Sequence, residues 1–181
     1  GSQLALGSFE DSTAMGKIFV NTHLAGCGGC AAGAIITRLV GGKTDIIMML
    51  NGALAGLVSI TAGPLDPSPM AAILIGAVGG LIMYLGTHLL NRLKLDDVVG
   101  AIPVHMFAGI WGTLIVPFSS PDTSYLTQFI GVVSVISFVF VVSFIVFLII
   151  KNTIGLRISE EAEQLGTDKA EVGVLAYSIR D

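Results

Sequence analysis

Side chains able to act on a substrate are scarce in this chain, and the most telling one is a histidine in apolar surroundings. His105 lies within Val98–Phe118, where no other side chain can carry charge. A run of this kind matches the ~20 residues that cross a hydrocarbon core. An ionisable group at that depth is expensive, so it reads as functional by default. On a regular helix its neighbours at spacings of three, four and seven are Val98, Ala101, Ile102, Ala108, Gly109 and Gly112, all small or apolar. His105 therefore has no polar partner on its own stripe. A partner must come from another helix, a water or a substrate; the alternative is a core histidine bonded across a helix interface. The small residues around it predict that the imidazole faces the protein interior near mid-membrane.

The elements that position His105 are membrane helices. Mean hydropathy is +0.85 and charged residues make up only 12% of the chain, against roughly 25% in soluble domains. Five spans are readable, at 18–37, 46–62, 70–90, 98–118 and 129–150, within a transmembrane bundle over 17–151. Residues 1–16 then form an extracellular segment and 152–181 a cytoplasmic tail. The net charge of −4, with no basic cluster or aromatic platform, gives no sign of nucleic-acid binding.

Basic residues orient the spans. Arg38 and Lys43 occupy the first connection, Arg92 and Lys94 the third, and Lys151, Arg157, Lys169 and Arg180 the tail. The intervening Gly63–Pro69 and Ser119–Gln128 hold no Lys or Arg. This alternation predicts an outside N-terminus and a cytoplasmic C-terminus, with Lys17 on the wrong side. The first Met is Met15, and residues 1–16 lack the pattern of a signal peptide. An odd number of spans with that orientation leads us to expect an upstream part, and the chain to be a fragment.

Other polar residues have structural readings. Cys27 and Cys30 form C-G-G-C inside the first span; two further metal ligands would be needed and none is near in sequence, so we expect close helix packing rather than a metal site. Gly52–Gly56 and Gly76–Gly80 repeat that small-residue pattern. His23 and His88 read as interfacial or interhelical hydrogen-bonders. Asp96 and Asp97 precede the fourth span, where carboxylates cap free N–H groups and suit the helix dipole; a proton relay is the alternative. Pro103 should kink that helix, and Trp111 should pack rather than share the site of His105. The last span is apolar on all sides and reads as lipid-facing. Ser159, followed by acidic residues, should start a short helix. No nucleophile elbow, phosphate loop or catalytic carboxylate pair points to an enzyme.

The fourth span resembles the signature of the ammonium transporter (Amt/Rh) family: Asp96-Asp97, Val104-His105 and Gly109–Leu114. Phe19-Val20-Asn21-Thr22 resembles the family's F-V-N-T motif and Asn51–Val58 its S-G-A-I-A-G-L-V segment. In the tail, Gly155–Arg157, Ser159–Glu161, Gly166, Asp168 and Ala176-Tyr177 resemble the cytoplasmic end. Two departures stand out: Gly100 replaces a third aspartate, and Thr61-Ala62 a Thr-Pro pair.

The resemblance implies an all-α fold of eleven spans, with two inverted five-helix repeats forming a pore and a last helix outside. This chain would hold the last five spans, the second half of that fold. It implies that His105 is one of a pore histidine pair, that Ser2 belongs to the outer recruitment site, and that Leu54, Thr61 and Ala101 line the pore. The second histidine, an aromatic cage and an acidic residue would lie elsewhere. Ammonium or ammonia would be the substrate, with no metal or other cofactor. A plasma-membrane homotrimer in the lipid bilayer and a PII-type signal protein on the cytoplasmic face are the implied setting. An apolar pore suits this substrate: an ion crossing it pays several kcal/mol, neutral ammonia does not, and potassium has no proton to give up. The alternatives are an ammonium sensor, or a truncated membrane fragment inactive by itself.

Overall fold

Apolar runs rich in glycine and alanine can satisfy their backbone in a membrane only as helices or closed barrels, and here they are helical. The computed structural model describes residues 9–175. Gly1, Ser2 and the Ala176-Tyr177 pair lie outside the described residues. The helices are α1 (Phe9–Gly41), α2 (Ile46–Ile60), α3 (Pro69–Arg92), α4 (Ala108–Ser119, continuous with a π-helical segment at Ile102–Phe107), α5 (Tyr125–Thr153) and α6 (Glu160–Leu165). A second π-helical turn follows at Asp168–Val172. Four segments are long and apolar enough to cross a membrane, namely α1, α3, Ile102–Ser119 and α5, and α2 is a shorter apolar helix.

The chain divides into two compact units, Gly1–Val133 and Ser134–Asp181. The first is built on glycine. A Cβ at Gly29 or Gly52 would meet the backbone of the other, one at Gly56 would meet Ala25, and one at Gly33 would meet Met48. These contacts run α1 antiparallel to α2. Gly76 meets Ala25, Gly80 meets Gly29 and Gly28 meets Ile73, so α1 runs parallel to α3. Without an oil–water driving force between membrane helices, this close approach is what holds them. The cysteines of C-G-G-C stay outside it: Cys27 is exposed and Cys30 half-buried. Glycine does the packing there.

Helix α4 closes the unit against α2 and α3. Gly112 abuts the backbone of Ser59, Gly109 faces Val58 and Gly63 faces Val116, so α2 and α4 run parallel. Trp111 Nε1 donates to the carbonyl of Ile75 at 3.1 Å, confirming its packing role. Fully buried Asn21 secures the α2–α3 connection by donating from Nδ2 to the carbonyls of Pro64 and Pro67, each at 2.9 Å. The connections holding Arg38–Lys43 and Arg92–Lys94 therefore share one end of the unit, and Gly63–Pro69 lies at the other.

Several boundaries differ from expectation. α1 starts at Phe9, so residues 9–16 are helical. The fourth span begins at Ile102 instead of Val98, because Gly100 adopts a φ of +75° that ends regular helix on its N-terminal side. α5 buries none of its side chains within the chain. In the second unit, Ser159 caps α6 by accepting from the Ala162 N–H at 3.2 Å, and Arg157 pairs with Glu163 at 3.0 Å on the surface.

Gly56→Ala should destabilise the first unit by about 1–3 kcal/mol, the usual cost of overpacking. Gly131→Ala, where nothing lies within 4 Å, should be neutral or slightly stabilising. Thermal unfolding of both variants in detergent checks the contrast.

Candidate functional site

The helix that carries His105 starts with every backbone donor accounted for. Asp97 accepts from the Ala101 N–H through Oδ1 at 2.8 Å and from the Ile102 N–H through Oδ2 at 2.9 Å. Pro103 has no N–H to satisfy, and the Val104 N–H donates to the Gly100 carbonyl at 3.1 Å. A proline is tolerated in a first turn for that reason. The expected cap is thus present on Asp97, while the expected kink takes another form. The segment Ile102–Phe107 is π-helical, a wider turn closed by i→i+5 bonds and frequent at functional sites.

The π turn changes which side chains share a face. Pro103, Val104 and Ala108 are buried, and Gly112 is pressed on α2, while His105 and Met106 are exposed. His105 is therefore turned away from the buried interface, although Ala108 and Gly112 were expected on its stripe. Within the chain itself the imidazole lies on the surface of the bundle rather than in its core.

The other pore candidates are exposed too. Leu54, Thr61 and Ala101 each present an open side chain. Leu54 and Thr61 are seven residues apart on the α2 side, hence on one helical face. Interhelical contacts set the register. Asn51 Nδ2 donates to the Val99 carbonyl at 3.1 Å, and a Cβ at Gly109 would lie 3.7 Å from Val58 Cγ1. Leu54 falls between Asn51 and Val58 as His105 falls between Val99 and Gly109, so both lie within the stretch bounded by these two contacts. Ala101 stands a turn nearer Asn51, and Thr61 follows beyond the Ser59–Ala108 contact, where Ser59 Oγ reaches the Ala108 carbonyl at 3.4 Å.

Other singled-out residues fall elsewhere. His88 is exposed, with Nδ1 2.9 Å from the Tyr84 carbonyl of its own helix, so its bond is intrahelical. His23 is exposed on α1. Among the described residues no group of three or more His, Cys, Asp or Glu could hold a metal ion. Sequence reasoning missed Asn51 as a link from α2 to the turn ahead of the fourth span; the signal was an amide near the start of a mostly apolar helix.

Fold and composition together define a multi-pass helical membrane protein. The chain belongs to the Ammonium Transporter Family, whose model matches residues 1–177. It is 38% identical over 178 residues to ammonium transporter Amt2 of Archaeoglobus fulgidus, covering 87% of this chain and 38% of that protein. With Amt2 of Methanocaldococcus jannaschii it shares 34% identity over 185 residues, covering 98% and 42%. A solved structure described as a sensor Amt protein superposes with a TM-score of 0.81 at 28% identity, over 87% of this chain and 42% of that one. The chain spans about two fifths of the length of these relatives. Its family is one of transporters rather than enzymes.

Asp97→Ala should cost about 1–2 kcal/mol, as for other lost N-caps. It should also speed amide exchange at Ala101 and Ile102 selectively, which hydrogen-exchange mass spectrometry can read.

Proposed function

We propose that this chain forms the C-terminal part of an ammonium channel and supplies one wall of a histidine-lined apolar pore. The observation that carries this reading is the exposed imidazole of His105, in an otherwise uncharged span of a chain of this family, with Leu54 of α2 exposed as well. Inverted-repeat transporters bind substrate at the interface of their two halves. An exposed His105 suits a face that meets the other half. Ala101 and Thr61 extend the same wall toward its two ends, and Ser2 belongs to the outer recruitment site.

In this scheme His105 accepts a hydrogen bond from ammonia while the apolar wall excludes hydrated cations. The whole protein assembles as a homotrimer in the plasma membrane, with its C-terminus cytoplasmic and open to a PII-type partner. Likeness to a sensor Amt protein keeps an ammonium sensor as the second reading.

In the whole transporter, His105→Ala should change ammonium flux or its selectivity by roughly tenfold or more, on the scale of a lost positioning contact, while thermal stability changes little. Liposome assays of ammonium-driven current and internal pH decide this. An unchanged flux and selectivity would remove His105 from the pore. Residues 1–181 reconstituted alone should give no selective flux. For orientation, Ser68→Cys should label from outside intact cells and Arg92→Cys only after permeabilisation.

A further inference from the structure

Among the described residues, Asn51 is the one side chain of α2 that bonds to the backbone just ahead of the His105 turn. Its Nδ2 donates to the Val99 carbonyl at 3.1 Å across a sequence separation of 48 residues. The same amide nitrogen lies 2.8 Å from where a Cβ of residue 100 would sit, so a side chain there would push the Asn51 amide from its place. Gly100 also takes the positive φ of +75°, and its carbonyl accepts from the Val104 N–H. On the far side of the turn, α2 grips α4 again through Ser59, which meets Ala108 and Gly112. His105 sits between these two attachments, and its own side chain makes neither.

We propose that Asn51 is a positioning residue for His105. With Gly100 it forms a clasp that sets the rotation of the π turn about α2, and so the direction in which the imidazole points. The proposal rests on the reading of His105 as a pore residue. Asp97 fixes where the turn starts but bonds only within its own segment, so it cannot set the turn's rotation relative to α2. The Asn51 amide can, because its donor and acceptor lie on different elements. An amide is required for a further reason: a carboxylate of the same shape would place an acceptor against the Val99 carbonyl.

The test is the ratio of ammonium to potassium flux through the whole transporter in liposomes, which does not depend on how many molecules insert. N51A and N51D should each lower the ratio roughly tenfold, the scale of a modest misplacement of a working group. N51Q keeps the donor and should restore most of it. A merely structural role would lower the amount of inserted protein and leave the ratio alone. The proposal is overturned if N51A and N51D keep the wild-type ratio while H105A loses it. If H105A itself keeps wild-type flux and ratio, the pore reading fails and the clasp loses its purpose with it.

Discussion

The structure depends on backbone meeting backbone. At Gly29, Gly52, Gly56, Gly76 and Gly80 the helices α1, α2 and α3 approach so closely that a single methyl group would strike a neighbouring main chain. Dispersion between such surfaces grows with the number of atoms in contact, and small residues leave little side-chain entropy to lose. The result is a three-helix platform in which backbone contacts at glycine are filled in by a few buried side chains, Ile60, Ile75 and Met83 among them. Larger apolar groups are left for its other faces, and α2 can hold a fourth helix on the side away from α1.

That fourth helix is where the platform becomes useful. Ser59 and Asn51 are the polar groups that α2 directs at it, and they grip it on either side of a π turn. The turn begins with the Ala101 and Ile102 donors satisfied by one carboxylate and the Val104 donor by the Gly100 carbonyl, while Pro103 has no donor to satisfy, so its start leaves no loose N–H to be hydrated. A regular helix would carry His105 toward the stripe of Ala108 and Gly112 that packs on α2. With the wider turn in its place, the imidazole is exposed and lies out of that contact. An ionisable side chain is thereby kept from the dry interhelical seam, where it would demand a partner.

Much of this was legible from composition and spacing. Apolar runs marked the helices, small-residue repeats marked the contacts, and Asp97, Ser159 and Trp111 declared their roles by position. Where the reading diverged, the causes are specific. Gly100 at positive φ moved the fourth helix to Ile102, and hydrophobicity alone could not reveal it because Val98 and Val99 are apolar without being helical. The π turn broke the regular helical phase assumed for His105, so Ala108 and Gly112, expected beside it, are buried against α2 while His105 is exposed within this chain. Cys27 stands on the outer side of a helix whose inner side is glycine, a distinction composition does not carry. Asn51 and Asn21 bond to backbone 48 and 43–46 residues away, and such partners emerge only once the helices are assembled. The departure at Gly100 acquires a reason as well: its φ and the nearby amide both disfavour a side chain.

Central is the one wall to which, as we propose, the exposed residues His105, Leu54, Thr61 and Ala101 belong, and where this chain would meet the rest of a pore. An experimental density map of the whole transporter in a lipid nanodisc tests that most directly. His105 should face a narrow lumen, with Leu54 at its level and a second imidazole across from it within about 3 Å, the reach of a hydrogen bond. An imidazole set against lipid density, with Leu54 turned to a different side, would contradict the pore.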